Sequence, residues 1–184
     1  MSRNKIIFAT LLVLFGILSR IFLNEKIGIP NFELVTTLSV LAGSLLGGVF
    51  GGAVSFLTIF FSDLYFGNTP IFLFTWSSFV IIGIVSSSVK RRSKDYISKV
   101  TTLGVSGVLF FYLWTNFGWW LISHMYPMNF SGLIECYTAA LPFLRNQLLS
   151  VIIFTPTLGS VFLPLFKRFS SENIKLIQPN TNSR

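Results

Sequence analysis

Ionisable side chains are scarce in this chain, so those set among apolar residues are the first place to look for chemistry. Asp63 stands in the run TIFFSDLYFG, with apolar residues on both sides. A charged Asp at the centre of a membrane helix costs about 2.5–3.5 kcal/mol on insertion scales. Its carboxylate must therefore face protein or water, where it either pairs with Arg20 or a loop amide or meets a ligand. Arg145 falls in the first turn of an apolar segment that opens at Pro142. The helix dipole disfavours a cation there, so Glu135, an anionic ligand or outer headgroups reached by snorkelling must offset it. Asn31, Asn116, Trp119 and His124 join these as candidate ligand-binding residues. In this reading Asp63 and Glu135 accept hydrogen bonds or pair with a cation, Arg145 meets an anionic group, and Asn31 and Asn116 orient a ligand or brace a loop.

Other chemistries find less support. His124 and Cys136, taken with Asp63 or Glu135, match no metal-ligand spacing. One cysteine permits neither an internal disulfide nor a multi-cysteine cluster. No Ser–His–Asp arrangement, phosphate-binding loop or zinc-protease motif occurs. No metal, cofactor or catalytic residue is therefore expected, and ATP-driven work would need another subunit. Trp114, Trp120 and Tyr126 read as members of an outer aromatic belt, as Trp119 also could.

The elements that must hold these residues are oily. Of 184 residues, 52% are hydrophobic and only 11% charged, against about 25% charged in a soluble domain. That leaves too little polar surface to cover a globule in water. Six segments reach or approach the roughly 20 residues a crossing needs. They run from about Ile6 to Leu23, Leu34 to Val49, Gly52 to Phe66, Pro70 to Val89, Val100 to Ile122 and Pro142 to Phe166. The first has no small-residue cleavage site and reads as an uncleaved helix. Gly47, Gly48, Gly51 and Gly52 suit a tight helical hairpin. The run LIECYTAAL is a short helix that does not cross, and Pro156 is expected to kink the last segment. Gly43, Gly47 and Gly51, spaced four apart, permit close helix approach within the bundle or docking of a partner. The expected organisation is an all-α domain over residues 1–169 and a polar, mobile tail over 170–184.

Charge orients the bundle. The net charge is +8, and its clustering between apolar segments suits a topology signal better than a nucleic-acid surface. With the N terminus inside, Arg3, Lys5, Lys90, Arg91, Arg92, Lys94, Lys99, Lys167, Arg168, Lys175 and Arg184 are cytoplasmic. Only Arg20, Lys26 and Arg145 lie outside. Both termini are then cytoplasmic, and nearly every unusual polar residue falls toward the outer half. That distribution suggests a pocket open to the outside. A channel would need polar groups along its full depth.

The blocks IPNFELVTTLSVLAGSLLG, FFSDLYFG, TNFGWWLISHMYP and GLIECYTAALPFLRNQL resemble an uncharacterised family of small bacterial membrane proteins. That family is similar in architecture to the S components, the substrate-binding subunits, of energy-coupling factor (ECF) transporters. The resemblance spans about Arg20 to Phe162. It implies a six-helix fold in the bacterial cytoplasmic (inner) membrane, with a ligand near the extracellular face under the loop between helices one and two. It also implies docking on a transmembrane coupling protein driven by ATPase subunits. Ala9 and Val13 stand where such components often carry two small residues on the first helix. The start Met-Ser-Arg does not carry the Met-His segment of the nickel and cobalt members.

The expected function is capture of a small water-soluble compound, vitamin-like or related, for uptake, without catalysis. Two alternatives remain: a small membrane enzyme or cofactor-modifying protein using Cys136 and His124, and a structural subunit of a membrane complex.

Overall fold

A computed structural model describes the backbone of residues 3–177 and side chains through residue 170. Every regular element among them is helical: α1 (Arg3–Phe22), α2 (Val35–Leu46), α3 (Gly48–Phe66), α4 (Phe72–Val85), α5 (Tyr96–Ser123), α6 (Phe130–Ala139) and α7 (Leu141–Ile177). A π-helical turn carries α1 on to Ile27, and a 3-10 turn over Ser86–Ser88 extends α4. The stretches Arg3–Ile27, Gly48–Phe66, Tyr96–Ser123 and Leu141–Ser170 are long and apolar enough to cross a membrane. Val35–Leu46 and Phe72–Ser88 are apolar but shorter.

The shortest of the apolar segments is the centre of the bundle. All twelve residues of α2 are buried, against α1, α3, α4, α5 and α7. Leu38, Leu41 and Leu45 supply its apolar packing. Its hydroxyls are tied to neighbours at three levels. Gln147 Nε2 donates to Thr36 Oγ1 at 3.3 Å, Thr37 Oγ1 meets Thr155 Oγ1 at 2.9 Å, and Ser44 Oγ meets Tyr96 Oη at 2.8 Å. In lipid such interhelical bonds hold helices that gain no hydrophobic force by associating.

Close approach around α2 depends on small residues. Gly47 alone joins α2 to α3, at φ 108°, which favours glycine. Past that turn Gly43, Gly51 and Gly83 meet face to face. A methyl added to Gly43 or Gly51 would fall 2.1 or 2.2 Å from the Gly83 carbonyl oxygen. The spaced glycines Gly43 and Gly51 therefore pack within the bundle, and Gly83 of α4 completes the crossing.

Both ends of α2 are met by matching charge. At its C-terminal end Lys5 Nζ donates to Leu46 O at 3.0 Å and Arg91 Nη1 donates to Leu45 O at 3.1 Å. At its N-terminal end the Glu33 carboxylate accepts from the Val35 and Thr36 backbone N–H groups and, at 2.9 Å, from Thr36 Oγ1. Each arrangement satisfies backbone groups that a helix leaves open and complements its dipole.

α6 lies against α5. Tyr112 Oη donates to Tyr137 O at 2.6 Å, and Tyr137 Oη donates to Leu113 O at 2.7 Å. The end of the last helix moves. The last helix does not stop near Phe166 but continues through Ile177, with Pro156 and Pro164 inside it. The expected tail over 170–184 is described only as far as the backbone of Ile177, and the rest of it lies outside the described residues.

Candidate functional site

α2 is about 18 Å long, while the hydrocarbon layer is about 30 Å thick. The helices around it are longer, so the space beyond its N terminus is not filled by helix. A cavity of about 520 Å³ occupies that end of the bundle. Its walls come from the end of α1, the connection between α1 and α2, and α3, α4, α5 and α7.

One wall is built on an ion pair. Arg20, in the last turn of α1, places Nη1 at 2.5 Å from Asp63 Oδ1 and 2.5 Å from Ser62 Oγ. Trp76 Nε1 donates to Asp63 Oδ2 at 2.7 Å. Both carboxylate oxygens of Asp63 are thus taken by protein donors. The guanidinium also lies over the Phe66 ring, 5.6 Å from its centroid. Asp63 lines the cavity, but its first task is to hold α1, α3 and α4 in register.

The connection after α1 forms the rim. Gly28 closes the π turn in the left-handed region, donating to Leu23 O at 3.0 Å. Asn31 also takes a positive φ, 59°, a conformation that Asn tolerates better than most residues. Asn146 Nδ2 of α7 donates to Pro30 O at 3.0 Å, and the Phe32 ring packs on Phe154 at 5.4 Å. These contacts pin the rim. Glu33 follows, outside the spanning helices. Burial pushes its carboxyl above the ordinary range, opposed by the hydrogen bonds from Thr36 and Val35.

The opposite wall is α5. Asn116 Nδ2 donates to Tyr112 O of its own helix at 2.8 Å, and its side-chain Oδ1 makes no hydrogen bond among the described residues. The same holds for the side-chain amide of Asn31 and the indole N–H of Trp119. All three residues line the cavity, beside the apolar faces of Phe79, Phe111 and Phe143.

Four of the seven sequence candidates therefore share one cavity: Asn31, Asp63, Asn116 and Trp119. His124, Glu135 and Arg145 do not line it. His124 ends α5 in the left-handed region, exposed. Glu135 sits on the outer face of α6 and accepts from Ser131 at 3.3 Å. Arg145 is exposed on α7, and no ion pair with Glu135 forms. Their positions follow from helix phase. The side chains that α7 turns into the cavity there are Phe143, Leu144 and Gln147, and Arg145 is not among them. Sequence reasoning missed Gln147, Trp76 and Thr115 as parts of this region. Gln147, two positions from Arg145 and 2% exposed, could have been found as a polar residue inside an apolar helix.

Cys136 is buried and its thiol donates to Asn116 O at 3.5 Å. Burial pushes that thiol up, which disfavours the thiolate a nucleophile requires. Among the described residues no three His, Cys, Asp or Glu side chains gather to hold a metal.

Residues 1–172 match a family of unknown function (DUF6580). The chain belongs to that family. No curated protein and no solved structure matches it.

Proposed function

We propose that this DUF6580 protein is a membrane substrate-capture subunit, similar to an ECF S component, that holds a small water-soluble compound for uptake. The observation that carries the reading is the cavity above α2, where Asn31, Asn116 and Trp119 present hydrogen-bonding groups with no partner among the described residues. Small-molecule sites combine mostly apolar walls with a few convergent polar groups, in about 300–1,000 Å³. In this reading all six apolar helices cross the bacterial inner membrane. Both ends are cytoplasmic, by the bias of positive charge, and the cavity opens outward.

The electrostatics narrow the ligand. Arg20 is engaged by Asp63, and Arg145 stands outside the cavity. Glu33 is engaged by the end of α2. Among the described residues no free cation lines the walls to meet an anionic group, so in this reading the ligand carries no net negative charge. The side-chain amides of Asn31 and Asn116 supply donors and two acceptors, and Trp119 adds a donor. Phe79 and Phe111, 4.8 Å apart, form an apolar face for a flat ring. A vitamin-like heterocycle fits that description. The densely packed glycine crossing beneath would keep the ligand from passing without movement or a coupling partner with ATPase subunits.

The test is native mass spectrometry of protein purified gently from membranes. A small retained mass is expected, lost in Thr115→Trp, which fills the cavity from α5, and weakened in the Asn31→Ala, Asn116→Ala pair. Wild-type protein that retains nothing, and binds nothing from the medium in which its cells grow, would sink the reading.

A further inference from the structure

A second recess lies at the opposite end of α2, and its chemistry is different. About 390 Å³ of space is lined by Lys5, Lys90, Arg91 and Arg92, together with Ser87 and the Gly47 turn. Among the described residues no acidic side chain contributes to its walls. Lys5 and Arg91 are partly used, since each donates to a terminal carbonyl of α2. Lys90 and Arg92 are exposed, and their side chains make no ion pair or hydrogen bond among the described residues. Asp95, the nearest acid along the chain, is 73% exposed and lies 4.0 Å from Lys99.

The positive-inside bias explains why cations stand on this side of the membrane. It does not require four of them around one concavity. The surroundings add a second observation. At the adjoining helix ends Val49 is 86% exposed, Val85 51% and Ile84 49%. A basic recess with exposed apolar residues at its edge matches a molecule with an anionic head and apolar chains. A soluble anion would have no use for that apolar margin.

We propose that this recess binds the phosphodiester headgroup of an anionic phospholipid, with Lys90 and Arg92 as the free cations and the acyl chains along Val49, Ile84 and Val85. Basic pockets between membrane helices hold anionic headgroups by this combination, with each Lys or Arg near the surface adding attraction. Because Lys5 and Arg91 join α1 and the segment after α4 to the end of α2, a bound headgroup would also brace that junction. This site is independent of what the outer cavity holds.

The experiment uses the full chain in a neutral detergent. Dioleoyl phosphatidylglycerol or dioleoyl phosphatidylcholine is titrated in, and retained lipid is read by native mass spectrometry. Phosphatidylglycerol should bind about tenfold tighter than phosphatidylcholine. Lys90→Gln with Arg92→Gln should reduce that affinity by about tenfold. Lys94→Gln with Lys167→Gln removes two cations of the same side outside the recess and should change it by less than about twofold. Equal retention of the two lipids would overturn the proposal, as would an equal loss in the two double variants. Displacement of phosphatidylglycerol by inorganic phosphate at equal concentration would also overturn it, by assigning the recess to a soluble anion.

Discussion

Deleting the Asp63 carboxylate tests whether the ion pair holds the upper bundle together. In Asp63→Ala the Arg20 guanidinium loses its counter-charge at 2.5 Å and the Trp76 N–H loses its acceptor at 2.7 Å. Breaking a fully buried pair by removing one partner costs about 3–5 kcal/mol, mostly from the charge left behind. Arg20 keeps 20% side-chain exposure and borders the cavity, so the cost falls to or below the low end of that range, about 2–3 kcal/mol. Arg20→Met should cost about as much, because it strands Asp63. Combining the two removes both charges and leaves chiefly the Trp76 donor unsatisfied, about 1–3 kcal/mol. The double variant should then be no less stable than either single one, which gives a coupling energy of about 2 kcal/mol. The assay is reversible unfolding in mixed micelles titrated with sodium dodecyl sulfate, followed by circular dichroism. The amount of protein in the membrane fraction should not fall in Asp63→Ala, since the change makes α3 more apolar. Costs that add within about 0.5 kcal/mol would refute the pairing argument.

Other expectations follow from particular contacts. Gly43→Ala, Gly51→Ala and Gly83→Ala each place a methyl within 2.4 Å of backbone atoms of a neighbouring helix. Each should destabilise by about 1–3 kcal/mol or more in the same unfolding assay, whereas Gly104→Ala, whose nearest neighbour is a side chain at 3.4 Å, should be tolerated. For Glu33 the folded protein holds the carboxyl's proton more tightly than the unfolded chain does. That contribution favours the folded state fully below the unfolded pKa and is lost as pH rises through the folded one. Glu33→Gln should flatten the fall in stability with rising pH above the ordinary carboxylate range, measured as unfolding midpoints across a pH series. An unchanged slope would remove Glu33 as its source. Arg145→Gln should leave ligand retention within about twofold of wild type, because the side chain stands outside the cavity. A loss of tenfold or more would return Arg145 to the site.

Much of this molecule was legible in the sequence. Apolar runs of near-membrane length, broken by NEKIGIPNF, GNTP and KRRSK, announced the helices because a bilayer leaves backbone polar groups no partner outside a helix. The scarcity of charge made Asp63 and Arg20 conspicuous, and Asn31, Asn116 and Trp119 were found as polar or aromatic residues collected near one end. What no run of residues displayed was which helix would be surrounded. α2 is central because its face of small and hydroxyl residues matches glycines and hydroxyls on four other helices, a property of pairs far apart in the chain. Its twelve residues leave the cavity above it, and its two ends recruit Glu33, Lys5 and Arg91 as partners. Helix phase, set by packing on all sides, decided that Gln147 turns inward and Arg145 outward. Composition specified which groups need shelter from lipid, and only the tertiary arrangement decided where that shelter lies, because shelter is made by several helices at once.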